Sequence, residues 1–216
     1  MIKIPYIRNE LSFPPVDSAT EEGLLAYGGD LSADRLLLAY RSGIFPWYNT
    51  GDPILWWAPD PRLVLFLDEF ILRKSLKKRM KHFEVRYDTS FVQVMRECGS
   101  ISRDGQKGSW IIPEIIEAYT LLHEMGYAHS IEAWQDGKLV GGLYGVMIGK
   151  MFFGESMFAK VSDASKVAFA ALIERLKKDG CEMIDCQISS SHLKSLGARE
   201  ISRQEFMQHL QTEIYK

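Results

Sequence analysis

The sequence holds little that would tie it to a metal, a disulfide framework or a membrane. Its three cysteines, Cys98, Cys181 and Cys186, form no CxxC pair and no zinc-like Cys/His spacing. A stapled secreted fold is therefore not expected, and a reducing cytoplasmic compartment is. His82, His123, His129 and His209 make no HxxxH pair and no His/carboxylate motif, so no metal is expected either. Neither GxxxxGK[ST] nor GxGxxG occurs, which leaves a nucleoside triphosphate or dinucleotide without a phosphate cradle. No apolar run approaches the roughly 20 residues that span a bilayer, and the opening MIKIPYIRNELSFPP lacks the apolar core of a signal peptide. No membrane partner is expected. There are no internal repeats and no low-complexity segments. A net charge of −2 also argues against bulk coating of nucleic acid.

What remains is 216 residues with 46% hydrophobic content. That length suits one good-sized domain, or a main domain with a small companion. The first sixty or so residues read differently from the rest. SADRLLLAYRSG has a cap candidate in Ser32, a short apolar helix pattern and Gly43 as a stop. Trp47, Trp56 and Trp57 follow among prolines at 46, 53, 59 and 61, which forbid a long helix. Such aromatic loops pack cores, and a Pro-fixed aromatic beside a glycine also suits a wall on which a base can stack. A soft boundary falls near Pro61, giving a small N-terminal domain over 1–61 and a main domain over 62–216.

Beyond that boundary helix and strand patterns mix. LVLFL and FEVRYD read as strands; between them RKSLKKRMK reads as a helix with Leu72, Leu76 and Met80 facing inward. TSFVQVMREC is a helix, SRDGQKGSW a Gly-rich loop, and PEIIEAYTLLHEMG a helix opened by Pro113 and closed by Gly126. Residues 129–158 then read as three antiparallel strands joined by turns at Asp136-Gly137 and Gly149-Lys150. SDASKVAFAALIERLKKDG is a largely buried helix, CEMIDCQI a central strand, and SSSHLKSLGARE a loop with a short helix. The sum is an α+β fold, a mostly antiparallel sheet with helices on its faces. The glycines of LVGGLYG suit close packing better than phosphate binding.

Two strands carry polar residues where apolar ones are expected. Side chains two apart on a strand share a face, so Asp185 and Gln187 should point together, with Ile184, Cys186 and Ile188 opposite. A buried carboxylate costs several kcal/mol unless paired, so structural satisfaction competes with function. MFFGESMF shows the same trait at Glu155. Regular pleating puts Phe153, Glu155 and Met157 on one face; a bulge at Gly154 would break that parity and turn Phe152 to the pocket instead. If the strands are neighbours, Asp185, Gln187 and Glu155 line one apolar cavity suited to a small substrate. A thiol nucleophile at Cys186 is disfavoured by its position opposite Asp185. Lys74, Lys77, Lys78 and Lys81 fall at i, i+3, i+4, i+7, a stripe that fits either a solvated helix face or a phosphate-backbone contact.

In order along the chain, GLLAYGGDLS, GIFPWY, GDPILWWAPDPR, GSWI, HSIEAW, LVGGLYGV, GESMF, ASK and IDCQ…HLKSLGARE resemble the leucyl/phenylalanyl-tRNA–protein transferases of bacteria. The resemblance runs from about Phe13 to Arg203. It implies a small N-terminal domain followed by an acetyltransferase-like (GNAT) domain. It also implies transfer of Leu, Phe or Met from aminoacyl-tRNA to the α-amine of proteins starting with Arg or Lys, marking them for proteolysis. The protein is expected to act as a monomer. Such aminolysis of an ester runs downhill, so no cofactor is expected. On the same resemblance Asp185 and Gln187 form the catalytic pair, with Asp185 either polarising Gln187 or acting directly as base. Glu155 would hold the amine or the acceptor's basic side chain. Leu143, Phe152, Phe153, Met157, Phe169, Leu172 and Ile184 would form the donor's slot. Trp47 or Trp110 would stack on the terminal adenosine, and the lysine stripe would hold the acceptor stem. The pattern departs from many relatives at Ser190, where they carry Asn; a hydroxyl there can still donate to the ester carbonyl.

Two other readings fit parts of the sequence. A coenzyme A-dependent N-acetyltransferase of the same fold needs a Gly-rich turn for pyrophosphate, which SDASKVAFAAL lacks. A non-catalytic RNA-binding module explains the lysines and tryptophans but not the polar residues in the strands.

Overall fold

The computed structural model describes residues 4–101 and 109–215. The stretch 102–108, most of the expected Gly-rich loop, lies outside the described residues.

The first part of the chain builds a small sheet from β1 (Tyr6–Ile7), β2 (Leu24–Gly28), β3 (Phe45–Pro46) and β4 (Leu55–Trp57), in the order β1-β2-β4-β3. Between β2 and β3 runs α1 (Ala33–Arg41), opened at Ser32 and stopped at Gly43, whose φ of 73° is a left-handed value that glycine adopts without strain. Its buried face, Leu36, Leu37, Ala39 and Tyr40, packs into one continuous core with Trp56 and the larger sheet's Phe153.

The remainder follows in order: β5 (Arg62–Phe66), α2 (Lys74–Met80), β6 (Glu84–Tyr87), α3 (Phe91–Ser100), α4 (Pro113–Glu124), β7 (Ala128–Gln135), β8 (Lys138–Ile148), β9 (Met151–Ala159), α5 (Ala164–Lys178), β10 (Met183–Gln187), α6 (Ser191–Lys194), β11 (Arg199–Ile201) and α7 (Arg203–Glu213). Seven of these strands form a mixed sheet ordered β11-β5-β10-β9-β8-β7-β6. Every pairing is antiparallel except β9 with β10. The architecture is α+β with a largely antiparallel sheet, and β10 is interior, as its apolar run requires.

The glycines of β8 act by close packing. A Cβ on Gly141 would sit 2.4 Å from the Ala164 Cβ, so its absence lets the start of α5 lie on the sheet. A Cβ on Gly145 would sit 2.6 Å from the Phe152 ring. The helix α5 buries nine residues, from Ala164 to Leu176, against the face opposite the small sheet.

Candidate functional site

The site begins where β9 and β10 stop pairing. The two parallel strands are registered only at Ile184 with Phe152 and at Asp185 with Phe153. Beyond those pairs each has an irregularity. The β8–β9 register slips between Tyr144 and Gly145, and the β10–β5 register between Asp185 and Gln187. A cavity of about 810 Å³ opens there. Its apolar wall is Leu143, Phe152, Met157, Phe169, Leu172 and Ile184, all expected from the sequence. Cys186 joins them, and its burial pushes the thiol up, away from ionisation. Trp47 and Trp110 stand at the same cavity, with Phe45, Pro46 and the turn Ser189 to Leu193. Ser190 lies there too, its hydroxyl accepting the Leu193 N–H at 3.4 Å as the cap of α6.

The bulge in β9 decides which aromatic faces the cavity. Phe152 lies in the wall, whereas Phe153 turns to the other face of the sheet and packs on Tyr40 with ring centroids 5.0 Å apart. The expectation that Phe153 lines the slot is therefore corrected: the slip next to Gly154 breaks the two-residue alternation.

Glu155 sits at the cavity with three hydrogen-bond partners. Gln187 Nε2 donates to its Oε1 at 2.7 Å; Tyr40 Oη lies 2.8 Å from the same oxygen and Tyr119 Oη 3.3 Å from Oε2, the two phenols having one proton each for these contacts and for the one between them. The two tyrosine hydroxyls also bond each other. Burial raises the Glu155 carboxyl to about 7 despite the Tyr40 and Gln187 bonds, and the Asp185 charge adds to the rise. Both phenols are held well above their ordinary range, first by burial and then by the Glu155 charge.

Asp185 does not line the cavity. It lies fully buried behind the strand, where Arg62 Nε donates to Oδ1 at 2.8 Å and Arg62 Nη2 to Oδ2 at 2.6 Å. Gln187 departs from the strand at φ 65°, and its backbone N–H donates to Asp185 Oδ1 at 2.9 Å. The expected convergence of Asp185, Gln187 and Glu155 in one hollow is thus corrected. Glu155 and Gln187 meet at the cavity, and Asp185 supports them from behind. The physical reason is the left-handed residue at 187, which ends the strand alternation that placed Asp185 and Gln187 together.

Three partners escaped the sequence reading. Arg62 was read only as the first residue of the main domain; it opens β5 with 1% exposure, its buried charge paired with Asp185. Tyr40 and Tyr119 looked like ordinary members of apolar helix faces. A buried phenol needs a partner, which was the available signal.

The lysines Lys74, Lys77 and Lys78 lie exposed on α2, with Lys81 at its end. None lines the cavity, and among the described residues none forms an ion pair. Among the described residues no group of three His, Cys, Asp or Glu could hold a metal, and no helix is long and apolar enough to cross a membrane.

A family model described as Leucyl/phenylalanyl-tRNA protein transferase matches residues 64–211, and one described as the N-terminal domain of that transferase matches residues 29–60. The chain is 57% identical to the leucyl/phenylalanyl-tRNA–protein transferase of Flavobacterium johnsoniae, over 96% of this chain and 99% of that one. It is 55% identical to the protein of the same description from Sulfurimonas denitrificans, over 94% and 90% of the two chains. Among solved structures, FemX aligns over 82% of this chain and 70% of its own with 13% identity and a TM-score of 0.48.

Proposed function

The chain belongs to the leucyl/phenylalanyl-tRNA–protein transferase family, and from that premise we propose how its residues divide the work. The activity is transfer of Leu or Phe from tRNA to protein in the N-end rule pathway, with aminoacyl-tRNA as a substrate. Coenzyme A chemistry and passive RNA binding fall away with that assignment.

In our reading the donor's side chain enters the slot between Leu143, Phe152, Met157, Phe169, Leu172 and Ile184. An unbranched Cβ suits such a neck, so Leu, Phe and Met enter and Ile does not; one misplaced methyl is worth about 1–3 kcal/mol. The terminal adenosine stacks on Trp47 or Trp110, and Ser190 donates to the ester carbonyl. Lys74, Lys77, Lys78 and Lys81 hold the acceptor stem through phosphates, contacts that position a tRNA without reading its sequence. The acceptor is a protein with N-terminal Arg or Lys, whose positive charge is drawn to the Glu155 carboxylate.

The reaction exchanges an ester C–O bond for an amide C–N bond. The attacking amine loses a proton, and the tRNA 3′ oxygen gains one. An α-amine has an ordinary pKa of about 7.7–8.0, so a modest base suffices. Of the two roles considered for Asp185, the direct base is disfavoured, because both its oxygens are taken by Arg62. The geometry favours a proton passing to Gln187 Oε1 or straight to Glu155, with Gln187 Nε2 already bonded to that carboxylate. The observation that carries this reading is the 2.7 Å bond between Gln187 and Glu155 at the mouth of the apolar cavity.

A division near residue 61 follows the gap between the last strand of the small sheet, ending at Trp57, and the first of the large one, starting at Arg62. We also read the protein as a cofactor-free monomer working in the cytoplasm, where its charged tRNA is. The decisive experiment supplies Leu-, Phe-, Met- and Ile-charged tRNA with an Arg-starting peptide and follows product. Leu, Phe and Met should transfer and Ile should not. Equal transfer of Ile would refute the slot, and equal use of an Asp-starting peptide would refute the acceptor assignment.

A further inference from the structure

We propose that Arg62 is a positioning residue of the transfer reaction: by locking Asp185 it fixes the left-handed turn that presents the Gln187 amide to Glu155.

The chain of contacts is continuous. Arg62 is 1% exposed and does not line the cavity. Its guanidinium lies 4.8 Å from the Phe45 ring centroid and 4.6 Å from that of Phe206, so it is held between two aromatic faces. Nη1 donates to the Gly43 carbonyl at 3.1 Å, which ties the end of α1 to β5. The other two contacts form a fork on Asp185. A fork fixes the carboxylate plane as well as its position. Asp185 Oδ1 is then left aimed at the Gln187 N–H, 2.9 Å away. That bond supports a non-glycine residue at φ 65°, a conformation residues other than glycine, Asn and Asp seldom adopt. The turn in its place sends the Gln187 side chain to Glu155 at 2.7 Å.

The alternative explanation is that the Arg62–Asp185 pair merely fills the core. A buried ion pair is weak evidence for stability, since apolar groups of similar volume often serve as well. A pair kept only for packing would not need its second carboxylate oxygen bond shared with a strained turn at the active cavity. The inference rests on the reading that Gln187 handles the amine proton.

The test is a double-mutant cycle in the full chain with Leu-charged tRNA and an Arg-starting peptide, measuring kcat, both KM values and thermal stability. Gln187→Ala alone tests the underlying reading; an unchanged kcat would refute that reading. Arg62→Lys keeps the charge but loses the fork. It should lower kcat about tenfold or more in the parent while the KM for tRNA changes less than about twofold. In the Gln187→Ala background the same substitution should lower kcat by less than about twofold. Losses that multiply in the double variant would overturn the proposal, because Arg62 would then act independently of Gln187. So would a parallel change in kcat and both KM values. If Arg62→Lys does not fold, Phe206→Leu, which removes one aromatic face under the guanidinium without unpairing a charge, is put through the same cycle and judged by the same criterion.

Discussion

Replacing Glu155 by Gln should make the protein more stable at alkaline pH and leave it unchanged in acid. The Glu155 carboxyl, ordinarily near 4.5, is raised to about 7 by burial. Between those two values the folded state holds a proton that the unfolded state has already released. Stability therefore falls as pH rises through the window from 4.5 to 7, and is flat above it. Each pH unit of displacement is worth about 1.4 kcal/mol, so the full window amounts to about 3 kcal/mol. For a chain of this size that is roughly 6–12 °C in Tm. The amide of the substituted residue never ionises, so it escapes the loss. It keeps an oxygen for the Tyr40 hydroxyl and is nearly the same size. Thermal or urea unfolding of parent and Glu155→Gln between pH 5 and 8.5 isolates the effect, since every other titrating group is common to both. The difference should grow with pH and level off above about 7.5. A difference independent of pH would mean that Glu155 ionises normally, and the argument from its buried setting would fail.

Leu172→Trp should fill the slot and cut Leu and Phe transfer by more than about tenfold while tRNA affinity stays within about twofold; retained transfer would move the donor elsewhere. Reversing Lys77 and Lys78 to Glu should weaken tRNA binding and make log Kd less steep against log salt by about 2, measured by filter binding. An unchanged slope would make that stripe a solvated helix face. Gly145→Ala places a methyl 2.3 Å from the Phe153 carbonyl oxygen and 2.6 Å from the Phe152 ring, so the urea midpoint should report about 1–3 kcal/mol of lost stability. A neutral substitution there would show that the ring can shift and that Gly145 does not set the cavity wall.

Long patterned segments carried most of the fold. The helix α5 and the strands β7 to β9 lie where their long apolar runs place them, and the turns at Asp136-Gly137 and Gly149-Lys150 carry the expected residues. What escaped was short or weakly patterned. β1 and β3 have two residues each and β11 three, too few for a period of two to show. α7 buries only Phe206, Leu210 and Glu213, too sparse a stripe to mark a helix. The apolar wall of the site was legible through family motifs, and Glu155 and Gln187 through their oddness among apolar neighbours. The place of Asp185 was not, because it depends on a backbone irregularity at Gln187 that no residue type there announces. A glycine at 187 would have signalled φ above zero; glutamine conceals it. Arg62 was hidden for a related reason. Its partner lies 123 positions along the chain, and only the pairing of β5 with β10 brings them together.

The most direct measurement is a structure with a non-hydrolysable phenylalanyl-adenosine analogue bound. The account predicts the phenyl ring among Leu143, Phe169 and Ile184, the adenine against Trp47 or Trp110, and the carbonyl carbon within reach of an amine held by Gln187 and Glu155. A phenyl ring outside that cavity, or a carbonyl group turned away from Gln187, would contradict it.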